Sequence, residues 1–382
     1  MTQAEQHDAT QAPSENTAAT AAPIRAYKAF DQNMQCRGFQ FEVGQTYEHD
    51  GPVKACESGF HTCENPLDVW SYYPLDSRYA VVELGGNVSR HDGDSKIAAA
   101  RITISAEIAL PQIISDGVAY LMGLCKDAFA LKPGEDASGD DSQLAASGDR
   151  SKLAASGDCS QLAASGDRSK LAASGDCSQL AASGDRSKIA ASGNSSKLAA
   201  SGYGSQLAAS GHGSQLAASG YGSKIAASGG YSQLAASGYD SKLAASGDGS
   251  QLAASGNDSQ LAASGDGSKL AASGYDSKLA ASGYDSKLAA SGGYSKLAAS
   301  GDGSKLAASG DGSQLAASGE NCVCVAASPG AIARAGAGGA IALTYYDGER
   351  YRIAVAYVGE DGIEPNVNYR VTNAGEFVKA QG

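Results

Sequence analysis

Cysteine and histidine residues lie close together near the start of the chain, and these are the residue types that bind zinc in proteins. Cys56, His61 and Cys63 follow one another closely, and Cys36 and His49 precede them. Their spacing does not match the paired C-x2-C pattern of structural zinc sites, and the alternative is that the thiols are ordinary core residues. We therefore predict free core thiols, no metal, no cofactor and no catalytic set.

Aspartates that recur through the middle of the chain suggest a second chemistry, calcium binding. From Ser142 to Asn321 the chain repeats the phrase Ser-(Lys/Gln)-Leu-Ala-Ala-Ser-Gly-x-x twenty times. Calcium-binding β-rolls also use nine-residue repeats, but each repeat carries several glycines and a fixed Asp. Here one Gly is fixed, and the first x is not Asp in eleven of the twenty copies. The repeat predicts no calcium site.

The repeat itself predicts the structure that positions every other residue. A recurring Gly disfavours a helix, and a flexible linker has no need for Leu or Ile at the same place in every copy. Ser-Lys-Leu-Ala-Ala is typical of a short strand whose Leu and second Ala point inward. Ser-Gly-x-x then forms a corner in which Gly supplies a positive φ. These features predict a β-solenoid.

Two phrases are predicted to close one coil. In the early copies the last residue of the phrase alternates, as in Arg150, Cys159 and Arg168, and Gln alternates with Lys at the second position. Identity therefore returns after eighteen residues, which gives about ten coils and, at ~4.8 Å per coil, a rod of roughly 48 Å. Cys159 and Cys177 should then be stacked neighbours.

The eighteen-residue coil predicts two outward rows at the second position of the phrase, of which one is more basic. Tyrosines should stack along one corner, where aromatic rings suit protein binding. The predicted binding residues are Lys152, Lys170, Lys188, Lys224, Lys242, Lys278, Lys296, Tyr203, Tyr221, Tyr239 and Tyr275.

The charge of the chain argues against nucleic acid as its partner. The net charge is −12, but the repeat holds fourteen basic and fourteen acidic residues. A neutral rod neither imitates a phosphate backbone nor binds one non-specifically. A DNA mimic or a nucleic-acid-binding rod is therefore the alternative, and a protein is the expected partner. The rod is also compatible with a homo-oligomer.

Composition divides the chain into four parts: a disordered tail (1–23), an α+β domain (24–135), the repeat (136–321) and a short β cap (322–382). The tail lacks the pattern of a signal peptide, and no apolar segment is long enough to span a membrane.

Within the second part, strands are predicted near residues 25–30, 39–43 and 79–84, a short helix after Asn65, and a longer helix at 113–129. The segment 93–99 looks like a degenerate repeat. A hairpin around Asp347-Gly348 and two final strands should form the cap. The fold class is mainly β.

Three phrases outside the repeat carry a resemblance to bacteriophage and prophage proteins. Tyr27–Phe30, Cys36–Phe39 and Ser58–Pro66 resemble the N-terminal domain of an uncharacterised group in which Ser-Gly-Asp-x-Ser repeats follow. The resemblance implies a phage origin and brings no activity. The expected function is that of a non-enzymatic rod that presents Lys/Gln and Tyr rows to a protein, as a virion accessory or an inhibitor of a host defence protein. Its location would be the host cytoplasm or the virion.

A second resemblance favours an enzyme in the N-terminal domain. Tyr27-Lys28 and Gly59–Thr62 are similar to ADP-ribosyltransferase-type folds, in which a Gly-Phe/Tyr-x-Thr strand lines the nicotinamide pocket. This resemblance implies a catalytic carboxylate, for which Glu64 and Glu83 are the candidates. The family's Arg/His-Ser-Glu set is not clearly present, so we take this function as the alternative.

Overall fold

The computed structural model describes residues 23–74, 77–91, 95–109, 112–114, 116–117, 119–120 and 136–381. The tail up to residue 22, and residues 121–129 of the longer predicted helix, lie outside these ranges. In the described part the molecule is mainly β, as predicted, with a β-sheet domain followed by a β-solenoid of about 11 turns.

The N-terminal domain is a strongly bent antiparallel sheet. Its strands are β1 (Ile24–Phe30), β2 (Gln35–Cys36), β3 (Phe39–Gln40), β4 (Thr46–Glu48), β5 (Phe60–Cys63), β6 (Arg78–Arg90) and β7 (Lys96–Ile108). Strand β7 pairs with both β5 and β6, and β1 pairs with the same two strands, so these four strands close into a small ring.

Strand β1 is buried on both of its faces, since period-two alternation sends neighbouring side chains in opposite directions. Ala26 and Phe30 pack inside the ring with residues such as Phe41. Tyr27 and Ala29 belong to a different apolar cluster, on the outer side of the ring.

The sequence prediction for this domain was partly wrong. Strands β1 and β6 lie where alternation predicted them, and β5 lies where the second resemblance implied a strand. The strand predicted at 39–43 is limited to the two residues of β3, and β7 was not predicted as a strand. Residues 96–99 form part of β7 and not a degenerate coil. Little helix is present among the described residues: a 3₁₀ helix (Pro66–Ser71), whose N-cap is the predicted Asn65, and residues around Ile113 and Ile114.

The solenoid begins with the two-residue strand β8 (Asp136–Ala137), and each of the twenty phrases then supplies one strand. In chain order these are β9 (Gln143–Ala146), β10 (Lys152–Ala155), β11 (Gln161–Ala164), β12 (Lys170–Ala173), β13 (Gln179–Ala182), β14 (Lys188–Ala191), β15 (Lys197–Ala200), β16 (Gln206–Ala209), β17 (Gln215–Ala218), β18 (Lys224–Ala227), β19 (Gln233–Ala236), β20 (Lys242–Ala245), β21 (Gln251–Ala254), β22 (Gln260–Ala263), β23 (Lys269–Ala272), β24 (Lys278–Ala281), β25 (Lys287–Ala290), β26 (Lys296–Ala299), β27 (Lys305–Ala308) and β28 (Gln314–Ala317).

Like stacks on like at a spacing of eighteen residues, which confirms that two phrases close one coil. Leu162 pairs with Leu180 in one parallel sheet, and Leu153 pairs with Leu171 in the other. Within the repeat, the odd-numbered strands β9 to β27 form one sheet and the even-numbered strands β10 to β28 form the second. We call them the odd sheet and the even sheet.

Each position of the phrase has a separate structural task. Leu and the second Ala fill the core between the sheets, as predicted; Leu252, for example, is 2% exposed. The opening Ser is also buried, and its hydroxyl donates to the carbonyl of the Gly three residues earlier, as Ser241 does to Gly238 at 2.7 Å. The serine ladder therefore satisfies buried corner carbonyls.

The fixed Gly is required for close approach and not, as predicted, for a positive φ. A Cβ on Gly238 would lie 2.2 Å from the carbonyl oxygen of Gly220 on the preceding coil. The positive φ falls two residues later, at positions held by residues as different as Arg150 (φ 59°) and Asp240 (φ 51°). The residue between the fixed Gly and the positive-φ residue is often Asp or Asn. Its side chain then accepts a hydrogen bond from the backbone N–H eighteen residues later, as Asp248 does from Asp266 at 2.9 Å.

Replacing this Gly should separate neighbouring coils. We expect Gly238→Ala to destabilise the solenoid by about 3 kcal/mol or more, because the new methyl group meets rigid backbone. Gly222→Asp is the control: nothing lies within 4 Å of a Cβ there, and Asp240 already occupies the same corner position one coil later. Urea denaturation of both variants checks the difference, and equal stability would contradict the close-approach role.

The solenoid continues beyond the last regular phrase. β29 (Val323–Ala326) stacks on β27 and β30 (Ile332–Arg334) stacks on β28, both at eighteen residues. The spacing falls to seventeen only where β31 (Ala340–Tyr346) stacks on β29. The hairpin predicted around Asp347-Gly348 is present between β31 and β32 (Tyr351–Tyr357), and β33 (Tyr369–Val371) with β34 (Phe377–Lys379) completes the end.

Candidate binding surfaces and cavity

The outer face of the even sheet is covered by the N-terminal domain. Along this face the first Ala of each phrase forms a row, and the row is completely buried from Ala190 to Ala262. The residues that cover it are largely apolar and come from β1, the 3₁₀ helix and the segment that follows β7; they include Tyr27, Leu67, Val69, Trp70, Ile113 and Ile114. A row of methyl groups offers a flat surface against which these larger side chains pack.

A buried polar network fixes the position of the domain on this sheet. Asp68, in the 3₁₀ helix, accepts hydrogen bonds from Lys224 Nζ and Gln206 Nε2, each at 3.0 Å. Asn65 Nδ2 donates to Gln206 Oε1 at 3.1 Å, and Lys224 Nζ also donates to Ser71 Oγ at 2.6 Å. The Lys224–Asp68 ion pair is almost wholly buried, so it positions the domain as well as neutralising both charges.

The pKa values of two groups in this interface are shifted from their ordinary values. Burial by itself would raise the pKa of Asp68, but the charges of Lys224 and Lys188 and several hydrogen bonds outweigh it and lower the pKa to about 2. Burial lowers the pKa of Lys242 to about 8. Lys242 Nζ donates to the carbonyl oxygen of Trp70.

Because the pKa of Asp68 is lowered, the docking of the N-terminal domain on the even sheet should weaken at acid pH. Its pKa falls from 3.8 to about 2 on folding. The carboxylate therefore contributes stability above about pH 4 that is lost as the pH falls toward 2, and the shift corresponds to roughly 2 kcal/mol. Trp70 is the only tryptophan of the chain and is fully buried in the interface, so its emission should move to the red over this range. The Asp68→Asn variant should lack this pH-dependent change in Trp70 emission. If the variant and the wild type gave the same emission at every pH, the role of Asp68 would be contradicted.

Within the part of the chain that the structure describes, no element packs on the outer face of the odd sheet. Its first-Ala row is exposed along the rod, with a Gln/Lys row on one side and a Ser row on the other. Two shallow grooves of about 1670 and 1510 Å³ follow this Ala row. The odd-sheet face consists of the Ala row Ala145, Ala163, Ala181, Ala199, Ala217, Ala235, Ala253, Ala271, Ala289 and Ala307 with the two rows that border it.

A cavity of about 770 Å³ opens in the N-terminal domain. Lys28 lines it and is 4% exposed; its Nζ donates to the carbonyl oxygen of His61 at 3.0 Å and lies 3.6 Å from Cys36 Sγ. The same ammonium lies over the rings of Phe41 and Tyr73, at 5.5 and 5.9 Å from their centroids.

The protonation of the cavity residues is strongly perturbed. Burial lowers the pKa of Lys28 and of His61, and the charges of Lys96, Lys28 and Arg37 lower that of His61 further. Burial and the contact with Cys36 raise the pKa of Tyr73, whose hydroxyl lies 2.9 Å from the thiol. Groups perturbed in this way inside a cleft mark a candidate ligand site.

The ring of strands, the residues that pack on the even sheet and the cavity all lie in a region that matches a known sequence family. Residues 24–116 match the model of a domain of unknown function, DUF7666. The chain is similar to this family over these residues, which we refer to below as the DUF7666 domain. The comparison with curated proteins found no match, and the comparison with solved structures found none either.

The lysines predicted to bind a partner lie on the even sheet, and the DUF7666 domain covers part of their row. Lys224 and Lys242 are buried beneath it, and Lys152, Lys170 and Lys188 are partly buried. Only Lys278 and Lys296, beyond the edge of the domain, are exposed. The intramolecular contact was not predicted, although the acidic residue in Asn65-Pro-Leu-Asp68 and the basic row opposite were both visible in the sequence.

The predicted tyrosines are exposed at one corner of the solenoid. Tyr203 and Tyr221 stack with centroids 5.4 Å apart and ring planes within 5°. Tyr239 and Tyr275 are 56% and 60% exposed farther along the same corner. This corner follows directly after the Ser row of the odd sheet, so the tyrosines border the odd-sheet face.

The cysteines and candidate carboxylates can also be placed. The seven cysteines in the described ranges are free thiols, including Cys159 and Cys177 on consecutive coils. Cys63 is buried as predicted and Cys36 is half-buried, but Cys56 is exposed, so the prediction of a core thiol is wrong there. Within those ranges no three His, Cys, Asp or Glu residues are arranged to hold a metal ion, and no helix is long and apolar enough to cross a membrane. Gly59–Thr62 does line the cavity, but neither Glu64 nor Glu83 does.

Proposed function

We propose that the protein is a non-enzymatic interaction scaffold whose odd-sheet face and tyrosine corner together bind a protein partner. The observation that supports this most strongly is the contrast between two chemically similar sheets. The same phrase builds both, yet the DUF7666 domain covers the even-sheet Ala row from Ala172 to Ala262, whereas the odd-sheet Ala row is exposed along the whole rod. Extended apolar surfaces of this kind are typical of interaction sites.

The covered sheet indicates which chemistry the partner should have. On the even sheet the apolar side chains of Leu67 and Trp70 pack on the Ala row, and Asp68 reaches the Lys/Gln row. The odd sheet offers the same Ala row beside Gln215 and Lys287. Its partner would therefore be a protein surface that combines apolar side chains with carboxylates. Repetition along the coils would add many weak contacts into useful affinity.

Phage origin, and with it a role as virion accessory or inhibitor of a host defence protein in the host cytoplasm, remains part of this proposal. It is supported by the phrases of the DUF7666 domain that resemble prophage proteins. A protein partner could instead bind the even sheet, where Lys278 and Lys296 are exposed.

Matched charge reversals test which face is used. The tagged full-length chain is incubated with lysate of the source organism, bound proteins are identified, and each is purified and titrated against variants. We expect Lys287→Glu, on the odd sheet, to lower the affinity for the partner about tenfold. The double variant Ala217→Arg, Ala235→Arg should abolish binding. Lys296→Glu, one phrase later on the even sheet, should have no effect.

Two outcomes would overturn the proposal. Equal binding by the wild type and the Ala217→Arg, Ala235→Arg variant would exclude the odd-sheet face. Light scattering that shows a dimer abolished by the same two substitutions would make a second copy of this chain the occupant.

A further inference from the structure

The residues that line the cavity of the DUF7666 domain include the basic residues Lys28 and Arg37 and two acidic residues, Asp31 and Glu57. The carboxylate of Asp31 accepts hydrogen bonds from the backbone N–H groups of Asn33 and Gln35 at 2.9 and 2.8 Å. Both acidic groups are thus committed within their own loops, since Glu57 pairs with Lys54 at 2.6 Å.

Lys28 is the unusual member of this set. In the described part of the chain Lys28 forms no ion pair with a carboxylate, and the residue is only 4% exposed. Its hydrogen-bond partners are a backbone carbonyl and a thiol, and three aromatic rings surround it. A buried ammonium without a counter-ion is costly, and an anion that entered the cavity would relieve that cost.

The walls of the cavity suit a planar ring. Phe39 and Tyr72 are 45% and 43% exposed, and both line the cavity with Phe60 and Tyr73. Lys96 Nζ lies 4.2 Å from the centroid of the Tyr72 ring. His61 also lines the space, and its Nε2 is buried without a hydrogen-bond partner. Aromatic walls with a few convergent polar groups are the usual composition of a small-molecule site.

We propose that this cavity binds a small aromatic anion, whose ring packs among Phe39, Phe60 and Tyr72 and whose carboxylate or phosphate group is held by Lys28 and Arg37. The buried His61 Nε2 supplies a further polar contact for the same ligand. This site is separate from the odd-sheet face, so the ligand proposal does not depend on the proposed scaffold function.

The test separates the contribution of the ring from that of the charge. The full-length chain is titrated calorimetrically with 2-naphthoate, its neutral isostere 2-naphthamide, 1-naphthyl phosphate and acetate. We expect 2-naphthoate or 1-naphthyl phosphate to bind at least tenfold more tightly than 2-naphthamide, and acetate not to bind. The preferred acid group distinguishes a carboxylate ligand from a phosphate ligand.

Two variants assign the charge. Lys28→Met keeps the aliphatic stem and should lower affinity for the preferred anion about tenfold while leaving 2-naphthamide unchanged. Arg37 is exposed, so Arg37→Gln should fold normally and show a smaller loss of the same kind. Equal affinity for 2-naphthoate and 2-naphthamide, no binding of either anion, or loss of all ligands alike in Lys28→Met would overturn the proposal.

Discussion

Leu252→Asp should destabilise the middle of the solenoid by at least about 4 kcal/mol. Leu252 is 2% exposed and stacks between Leu234 and Leu270 in the core of the odd sheet. The substitution removes a buried apolar side chain and places a carboxylate where it has no partner. Since each coil is stabilised mainly by its neighbours, the damage should spread to the adjacent strands. Amide hydrogen exchange of β19, β21 and β23 measures it.

The neighbouring residue on the same strand is the matched control. Ala253 points outward and is exposed, so Ala253→Asp should cost less than about 1 kcal/mol and leave exchange nearly unchanged. If the two aspartates were equally harmful, or equally harmless, the inward and outward assignment of the strand would be wrong.

Asp68→Ala should release the DUF7666 domain from the even sheet at a cost of about 3–5 kcal/mol. The carboxylate neutralises Lys224, which would be left buried without its counter-ion. Gln206 would lose an acceptor as well. The emission of Trp70, which is fully buried at the interface, should shift to the red at lower urea concentrations than in the wild type.

A double variant separates the ion pair from the rest of the contact. Asp68→Ala with Lys224→Met removes both charges, so most of the lost stability should return. The exposed pair Arg78–Glu107 is the control for charge removal, and Glu107→Ala should cost less than about 1 kcal/mol. Additive effects of the Asp68 and Lys224 substitutions would show that the two side chains do not interact.

The repeat was predictable because each phrase reports the same environment. Leu144 and its equivalents recur every nine residues, and the alternation of Arg150 with Cys159 marks the eighteen-residue coil, so core positions and register could both be derived from the sequence. The task of the fixed Gly could not, because a close approach between coils and a positive φ select the same residue type. Only the distance from Gly238 to Gly220 separates them.

The N-terminal domain was harder because its pattern mixes two environments. Strand β1 is buried on both faces, one in the ring and one against the solenoid, so its alternation does not distinguish inside from outside. The alternation around Lys28 gives no sign that this side chain is buried in a cavity. The docking on the even sheet joins Asp68 to Lys224, 156 residues apart, and no local pattern in a single sequence predicts a contact over that distance.

The asymmetry between the two sheets can be measured with one pair of cysteine substitutions. Ala226 and Ala235 hold the same place in consecutive phrases, but Ala226 is fully buried beneath the DUF7666 domain while Ala235 is exposed on the odd sheet. Maleimide labelling of Ala226→Cys and Ala235→Cys in the native chain, followed by peptide mass spectrometry, gives the accessibility of each position. We expect Ala235→Cys to react at least about a hundredfold faster. Equal labelling rates would contradict the arrangement of one covered and one open face.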